Sequence, residues 1–342
     1  MFFIILKSKI FDNKLKALMK NAVIILFVTA LCFGFLCNPE DYSQKNNTIH
    51  KYDHIVIVME ENKNYDQIIG NNIAPYINSL RKEGANLTQM YAEEHASEGN
   101  YFWLFSGSNQ GVGFNDVIPN SGNNMGYPFK SHNLGEQLIK KGYSFKGYSE
   151  DLPEIGDTVS RSGYYARKHV PWISFGNIPN GNKEENSVNL QFRQFPSDYN
   201  KLPTVSFVIP NLIHDMHDPK SPDISVNNGD TWLKDNLDNY YTWAKKHNSL
   251  LIITFDENDD KSGYRGLTDP ADFQSDIKNR IPTIIAGEYV VPGDYSEGKG
   301  VTHVNILRTI EAMYGLSGSG HQQKNALKFG IKDDYIIKDI FK

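Results

Sequence analysis

The chain has 342 residues, enough for one large hydrophobic core or two small ones. Hydrophobic residues make up 39%, charged residues 22% and aromatic residues 12%, with 27 Gly and 15 Pro, which excludes a collagen-like, coiled-coil or wholly disordered chain. The formal charge is −5, so no basic excess attracts a nucleic-acid backbone, and no nucleic-acid partner is expected.

The chain opens with Lys7, Lys9, Lys14, Lys16 and Lys20, followed by an uncharged run over 22–37 with a single hydroxyl. A basic region followed by an apolar stretch reads as a secretory signal or a short anchor. The run falls slightly short of the ~20 apolar residues of a full membrane span. This predicts a signal or anchor over 1–37, a polar linker over 38–52 and a single domain over 53–342. The expected location is exported, secreted or periplasmic, with membrane contact through 22–37 as the alternative. Both cysteines, Cys32 and Cys37, lie in this segment. A chain cut after Cys37 has no disulfide framework, thiol nucleophile or Cys-based zinc site. Asn46 and Asn86 each open a glycosylation pattern, relevant only in a eukaryotic secretory pathway.

From residue 53 the pattern alternates. Apolar, largely β-branched runs at 54–59, 205–209, 250–255 and 281–286 suit strands buried on both faces, as in a parallel sheet. Helical patterns cover 73–83, 134–141, 232–246 and 304–314. The alternation predicts an α/β sheet with helices on both faces. The stretches 107–132 and 156–191 are rich in Gly, Asn, Ser and Tyr and read as long loops near a site.

Polar clusters begin at, or a few residues beyond, the ends of apolar runs. The first run is followed by Glu60-Glu61-Asn62, the second by His214-Asp215-Met216-His217-Asp218, and the third by Asp256-Glu257-Asn258-Asp259-Asp260. In open α/β sheets ligands bind beyond the carboxyl ends of strands. Converging carboxylates need a reason, and a hard divalent cation with oxygen and imidazole ligands is the usual one. Any one cluster alone reads equally well as a solvated turn. In the 214–218 cluster the reading favours Asp215 and His217 as participants.

Residues 97–107 read as a short helix beginning near Ser97 and ending at Gly107. By itself Ser97 is best read as its N-cap. The same place, beside unpaired backbone N–H groups, also binds phosphate and favours an alkoxide. Thr302 likewise caps a helix whose first turn holds His303. That histidine reads as structural or as a ligand of a metal or phosphate.

Seven motifs in order resemble one family: Glu61-Asn62 with Tyr65-Asp66, Ser97 with Asn100-Tyr101 and Ser106-Gly107, Lys168-His169 with Pro171, Asp215 to Asp218, Gly229-Asp230 with Trp232-Leu233, Phe255-Asp256-Glu257, and His303 with Leu307 to Glu311. Together, from about residue 54 to 316, they resemble the bacterial and fungal phosphoesterases, which include acid phosphatases and non-haemolytic phospholipases C. The resemblance implies an alkaline-phosphatase-like three-layer α/β/α sandwich around a mostly parallel sheet. It also implies a reaction through a phosphorylated side chain beside one or two divalent metal ions.

By the same resemblance, Ser97 is the nucleophile and Asn100 contacts a phosphoryl oxygen. Glu61, Asn62, Asp256 and Glu257 surround the nucleophile as metal ligands. Asp215, His217 and His303 hold a second metal, or serve as phosphate ligands and leaving-group acid. His169 is a further member. The sequence departs from the family pattern at Gly99, where Pro is usual, and at His214, where Asn is usual. The function implied is hydrolysis of phosphate monoesters through a phosphoserine, on a small phosphate ester or a phospholipid head group. A phospholipase C acting on diesters and a catalytically silent surface-binding protein are the alternatives.

Overall fold

Runs of aliphatic residues without a polar face form strands that bury both sides. The main sheet, among the described residues, has eight strands. These are β1 (His54–Glu60), β2 (Ala85–Leu87), β3 (Phe145–Ser149), β4 (Asn189–Gln191), β5 (Val205–Ile209), β6 (Ser249–Phe255), β7 (Thr283–Gly287) and β8 (Gly293–Tyr295). Their order in space is β8-β2-β7-β6-β1-β5-β3-β4. The three most apolar runs take the centre: β1 lies parallel to β5 and β6, with Ile57 level with Phe207 and Ile252. Every residue of β5 and β6 is buried. The run 281–286 becomes β7, antiparallel to β6 and β2, not parallel as its composition implied.

This computed structural model describes residues 49–342 except 113–115, 117, 121, 123–125, 220, 260–278 and 299. The N-terminal segment, both cysteines, Asn46, most of the linker and Asp260 lie outside the described residues. Residues Ile49–Lys342 form one compact unit. No described helix is long and apolar enough to cross a membrane. Asn86 is buried in β2, where its amide donates to Tyr65 Oη and Asp294 Oδ1, so it is not an open glycosylation acceptor.

Among the described residues, the helices longer than one turn are α1 (Pro75–Glu83), α2 (Ser97–Ser106), α3 (Leu134–Lys140), α4 (Pro222–Ala244), α5 (His303–Met313) and α6 (Lys324–Phe329). Alternation along β3 places two of the helix layers on opposite faces. Phe145 meets Phe105 of α2 at 5.4 Å between ring centroids. Tyr148, three residues on, meets Phe195, which meets Tyr240 of α4. Helix α2 also packs on α5, and α4 on α1. On the α2 face Phe207 adds an edge-to-face contact with Phe105 at 5.8 Å. Truncating such a buried ring to Ala costs about 3–5 kcal/mol.

Two glycines are set by close approach. Gly107 ends α2 in the left-handed region, φ 61°, where a Cβ would lie 2.2 Å from the Ser319 carbonyl oxygen. Gly229 in α4 leaves room for the loop after β5; a Cβ there would lie 2.4 Å from Met216 Cγ. Next to it, Asp230 accepts the Tyr76 and Ile77 N–H groups at 2.9 and 2.8 Å and so satisfies the start of α1.

Candidate active site

The ends of β1, β5 and β6 are tied by backbone bonds just where their acids begin. The Glu61 N–H donates to the Asp215 carbonyl at 2.7 Å, and the Asp256 N–H donates to the Glu60 carbonyl at 2.8 Å. Asn62 turns the chain in the left-handed region, φ 47°. Its N–H donates to Asp256 Oδ1 at 2.9 Å and its Nδ2 to Glu257 Oε1 at 2.7 Å. Met216, buried, also takes a left-handed conformation, φ 73°. Strain of this kind in non-glycine residues persists where surrounding packing imposes it.

Helix α2 points its first turn at these acids. Ala96 is the N-cap in extended conformation, and Ser97 is the first helical residue, so the cap reading of Ser97 is corrected. The Ser97 hydroxyl donates to Glu61 Oε2 at 2.9 Å. One turn on, Tyr101 lies on the same helix face and donates to Glu61 Oε1 at 2.8 Å. His169 stacks on the Tyr101 ring at 4.9 Å, with Nε2 3.0 Å from Glu61 Oε1 and Nδ1 3.8 Å from Asp215 Oδ2. Among the described residues its Nε2 makes no hydrogen bond. Nor do the buried Asn62 Oδ1, Asp215 Oδ2 and Asp256 Oδ2.

The electrostatics follow from burial and crowding. Burial first, then the Glu61 charge, pushes the Asp215 and Asp256 carboxyls well above the usual carboxylate range. Burial also opposes ionisation of Glu61, but His169, Lys168, His217 and the Tyr101 hydrogen bond outweigh it and hold the group low. Burial, against the pull of Glu61, lowers the His169 imidazole to about 4.

The sequence profile of the phosphoesterase family matches residues 71–317. The chain belongs to this family. It is 43% identical over 272 residues to the phosphatidylinositol-3-phosphatase of Mycobacterium tuberculosis, covering 79% of each chain. It is 25% identical over 276 residues to the phosphate-repressible acid phosphatase of Penicillium chrysogenum, covering 79% of this chain and 60% of that one. Among solved structures it resembles a protein in the alkaline phosphatase superfamily from Vibrio parahaemolyticus, with TM-score 0.53, 14% identity, 80% of this chain and 69% of that chain. That likeness shows the α/β fold. This phosphoesterase is a hydrolase acting on phosphoric ester bonds.

Not every residue carried over from the family reaches the cluster of this phosphoesterase. Asn100 is consumed locally: its Oδ1 accepts the Glu93 and Glu94 N–H groups, both at 3.2 Å, and its Nδ2 donates to the Glu94 carbonyl at 2.6 Å. It closes the turn before α2. His303 is fully buried with Nδ1 on Glu93 Oε2 at 2.6 Å and Nε2 on the Phe255 carbonyl at 2.8 Å. Both nitrogens are engaged, so neither is open to a metal. Thr302 is the N-cap of α5, as its sequence implied.

His214 pairs with Glu150 at 2.9 Å and stacks on Trp232, facing away from Ser97's partners. His217 stays near the rim. Its N–H donates to Asp215 Oδ1 at 2.9 Å, and its half-exposed ring lies 3.1 Å from Asp218 Oδ1. Gly99, where the family has Pro, accommodates a buried acid: a Cβ would lie 1.8 Å from Glu94 Oε1.

Sequence reasoning missed three participants: Tyr101, Lys168 and His95, whose Nδ1 lies 3.2 Å from Glu257 Oε2. Tyr101 and Lys168 entered the sequence reading only as motif positions, with no role given. For Tyr101 the four-residue spacing from Ser97 was the available signal. Among the described residues no three His, Cys, Asp or Glu side chains converge as a metal-holding group. The donor chemistry nevertheless fits a hard divalent cation, because buried oxygen acceptors on Asn62, Asp215 and Asp256 lack any donor.

Proposed function

We propose that the chain is a metal-dependent phosphomonoesterase with Ser97 as nucleophile, acting on a phosphorylated lipid head group. The observation that carries this reading is the Ser97 hydroxyl, in the first turn of α2, held by Glu61 at 2.9 Å beside carboxylate oxygens without donors. The relatives support monoester cleavage, one named for phosphatidylinositol 3-phosphate and others as acid phosphatases. The start of the chain supports export, with 22–37 as cleaved signal or retained anchor.

Glu61, Asn62, Asp256 and Glu257, with Asp215, would hold a divalent cation, which when bound supplies positive charge against the phosphoryl oxygens and favours the ionised serine. The chain's own groups do the rest. Glu61 fixes the direction of the Ser97 hydroxyl, and Tyr101 fixes Glu61. As the Ser97 oxygen bonds to phosphorus, its proton passes to Glu61 Oε2, which returns it in the second step, and the ester oxygen leaves from the opposite side as an alcohol. His217, at the rim, is placed to give that oxygen its proton. Water then attacks the phosphoserine, releasing inorganic phosphate and restoring the hydroxyl.

The test is hydrolysis of p-nitrophenyl phosphate and of phosphatidylinositol 3-phosphate by wild type, by chelator-treated protein and by Ser97→Ala. Turnover should fall by roughly a thousandfold or more in the variant, since nucleophile removal leaves only residual catalysis. Undiminished turnover in Ser97→Ala, or cleavage of a choline phosphodiester in preference to both monoesters, contradicts the reading.

A further inference from the structure

The first turn of α2 already holds an anion, and it comes from the chain itself. The Glu98 N–H, next to Ser97, donates to Asp116 Oδ1 at 3.0 Å. The other oxygen of the same carboxylate, Oδ2, accepts from Lys168 Nζ at 2.9 Å. A backbone N–H at a helix start and an ammonium group are the partners that a phosphoryl group takes in such a place.

We propose that Lys168 is the cation that receives a substrate phosphoryl oxygen beside Ser97, and that Asp116 fills this place in the substrate-free chain. The proposal rests on the reading of Ser97 as nucleophile. Four observations carry it.

The first is position. Lys168 precedes His169 in the turn Arg167–His169, and His169 lies against Glu61 and Tyr101. The turn is anchored by Arg167, whose guanidinium donates to the Pro119 carbonyl at 3.0 Å and the Thr158 carbonyl at 3.2 Å.

The second is charge. Glu61, Asp215, Asp256 and Glu257 would repel a phosphate ester approaching Ser97. Lys168 is felt by Glu61, Asp256 and Asp215, so its charge reaches into the cluster. The other nearby ammonium, Lys63, is buried and donates to the Asn62 carbonyl at 3.0 Å.

The third is Glu98. Burial, then the Asp116 charge, raises its carboxyl to about 8, so it adds no negative charge at neutral pH.

The fourth is exposure. The Lys168 and Asp116 side chains are 26% and 29% exposed, against 0% for both members of the His303–Glu93 pair. A pair that water reaches contributes little to stability. A phosphate dianion, with more charge and more acceptor oxygens, can therefore take the carboxylate's place.

The experiment is calorimetric titration of inorganic phosphate into the intact metal-loaded protein. Lys168→Met should bind phosphate roughly tenfold more weakly, and Asp116→Asn roughly tenfold more tightly, the scale of one charge-assisted hydrogen bond. In the Lys168→Met background, Asp116→Asn should change nothing. Lys168→Arg should retain most of the affinity. Unchanged or weaker binding by Asp116→Asn overturns the proposal. So does unchanged binding by Lys168→Met, or an equal gain from Asp116→Asn with and without Lys168, which would show a diffuse charge effect. If Lys168→Met does not fold, Asp116→Asn decides alone, because a damaged structure does not gain affinity. Turnover of Ser97→Ala judges the nucleophile separately; the phosphate affinities judge Lys168 whichever way that turns out.

Discussion

His303 and His169 each meet a buried glutamate, but the first contact is complete and the second is not. His303 uses both nitrogens, and its partner Glu93 also accepts the Val304 N–H at 3.0 Å. Every polar atom of that contact has a partner and no water is needed. Around Glu61 and His169 the helix supplies Ser97 and Tyr101, yet His169 Nε2, Asp215 Oδ2 and Asp256 Oδ2 make no hydrogen bond. Buried polar atoms left this way cost stability unless something arrives to pair them. The complete contact therefore belongs to the scaffold, where it joins the loop before α2, the start of α5 and the end of β6. The incomplete one is where the proposed metal and substrate would bind.

The largest effect expected from this contrast is on stability. His303→Ala leaves Glu93 Oε2 buried without its imidazole partner, and should cost about 3–5 kcal/mol in urea unfolding. Metal content per folded chain should not change. If His303→Ala loses metal without losing stability, the two contacts have been assigned the wrong way round.

A smaller effect concerns His217, which belongs to neither contact and sits at the rim. As the leaving-group acid, its loss in His217→Ala should slow alkyl phosphates at least roughly tenfold more than p-nitrophenyl phosphate, whose anion leaves unaided. An equal fall on both substrates with reduced metal content would move His217 into the incomplete cluster as a ligand.

The smallest effect is on pH dependence. Burial, then Asp116, raises the Glu98 carboxyl from 4.5 to about 8. The folded state thus keeps a proton that the unfolded state releases. That contribution to stability is fully present below pH 4.5 and is lost as the pH rises through about 8. Glu98→Gln, which cannot ionise, should melt about 2 °C or more above wild type near pH 8.5, with the gap closing toward pH 5. A gap that does not depend on pH would show that Glu98 is ionised in the fold.

The same contrast explains what the sequence made legible. The central strands were readable because runs such as Val205-Ser206-Phe207-Val208-Ile209 are buried on both faces, and the acids stood out by lying at or a few residues beyond their ends. The direction of β7 was not readable, because a buried antiparallel strand has the same composition as a parallel one. Strand β3 was hidden by Lys146 and by Gly147, whose Cβ would lie 2.1 Å from the Trp172 ring. The first ten residues of α4 were hidden by Asn227, Asn228, Gly229 and Asp230; Gly229 makes room for the β5 loop and Asp230 satisfies the start of α1.

Within the site, residue type showed which groups carry atoms suited to the proposed chemistry. It did not show whether each has its hydrogen bonds filled. Asn100 and His303 carry suitable atoms, but the neighbours that consume them are distant in sequence or are backbone. Tyr101 and Lys168 act through partners at Glu61 and Asp116 that no local pattern announces.

The most direct measurement is elemental analysis of purified Asp256→Asn and Glu93→Gln, with melting of each before and after chelation. Asp256→Asn should purify with little bound metal. Its chelated form should melt above chelated wild type, because one of the mutually repelling buried carboxylates is gone. Glu93→Gln should keep its metal and melt lower than wild type under both conditions. Full metal occupancy in Asp256→Asn, together with metal loss in Glu93→Gln, would contradict the account.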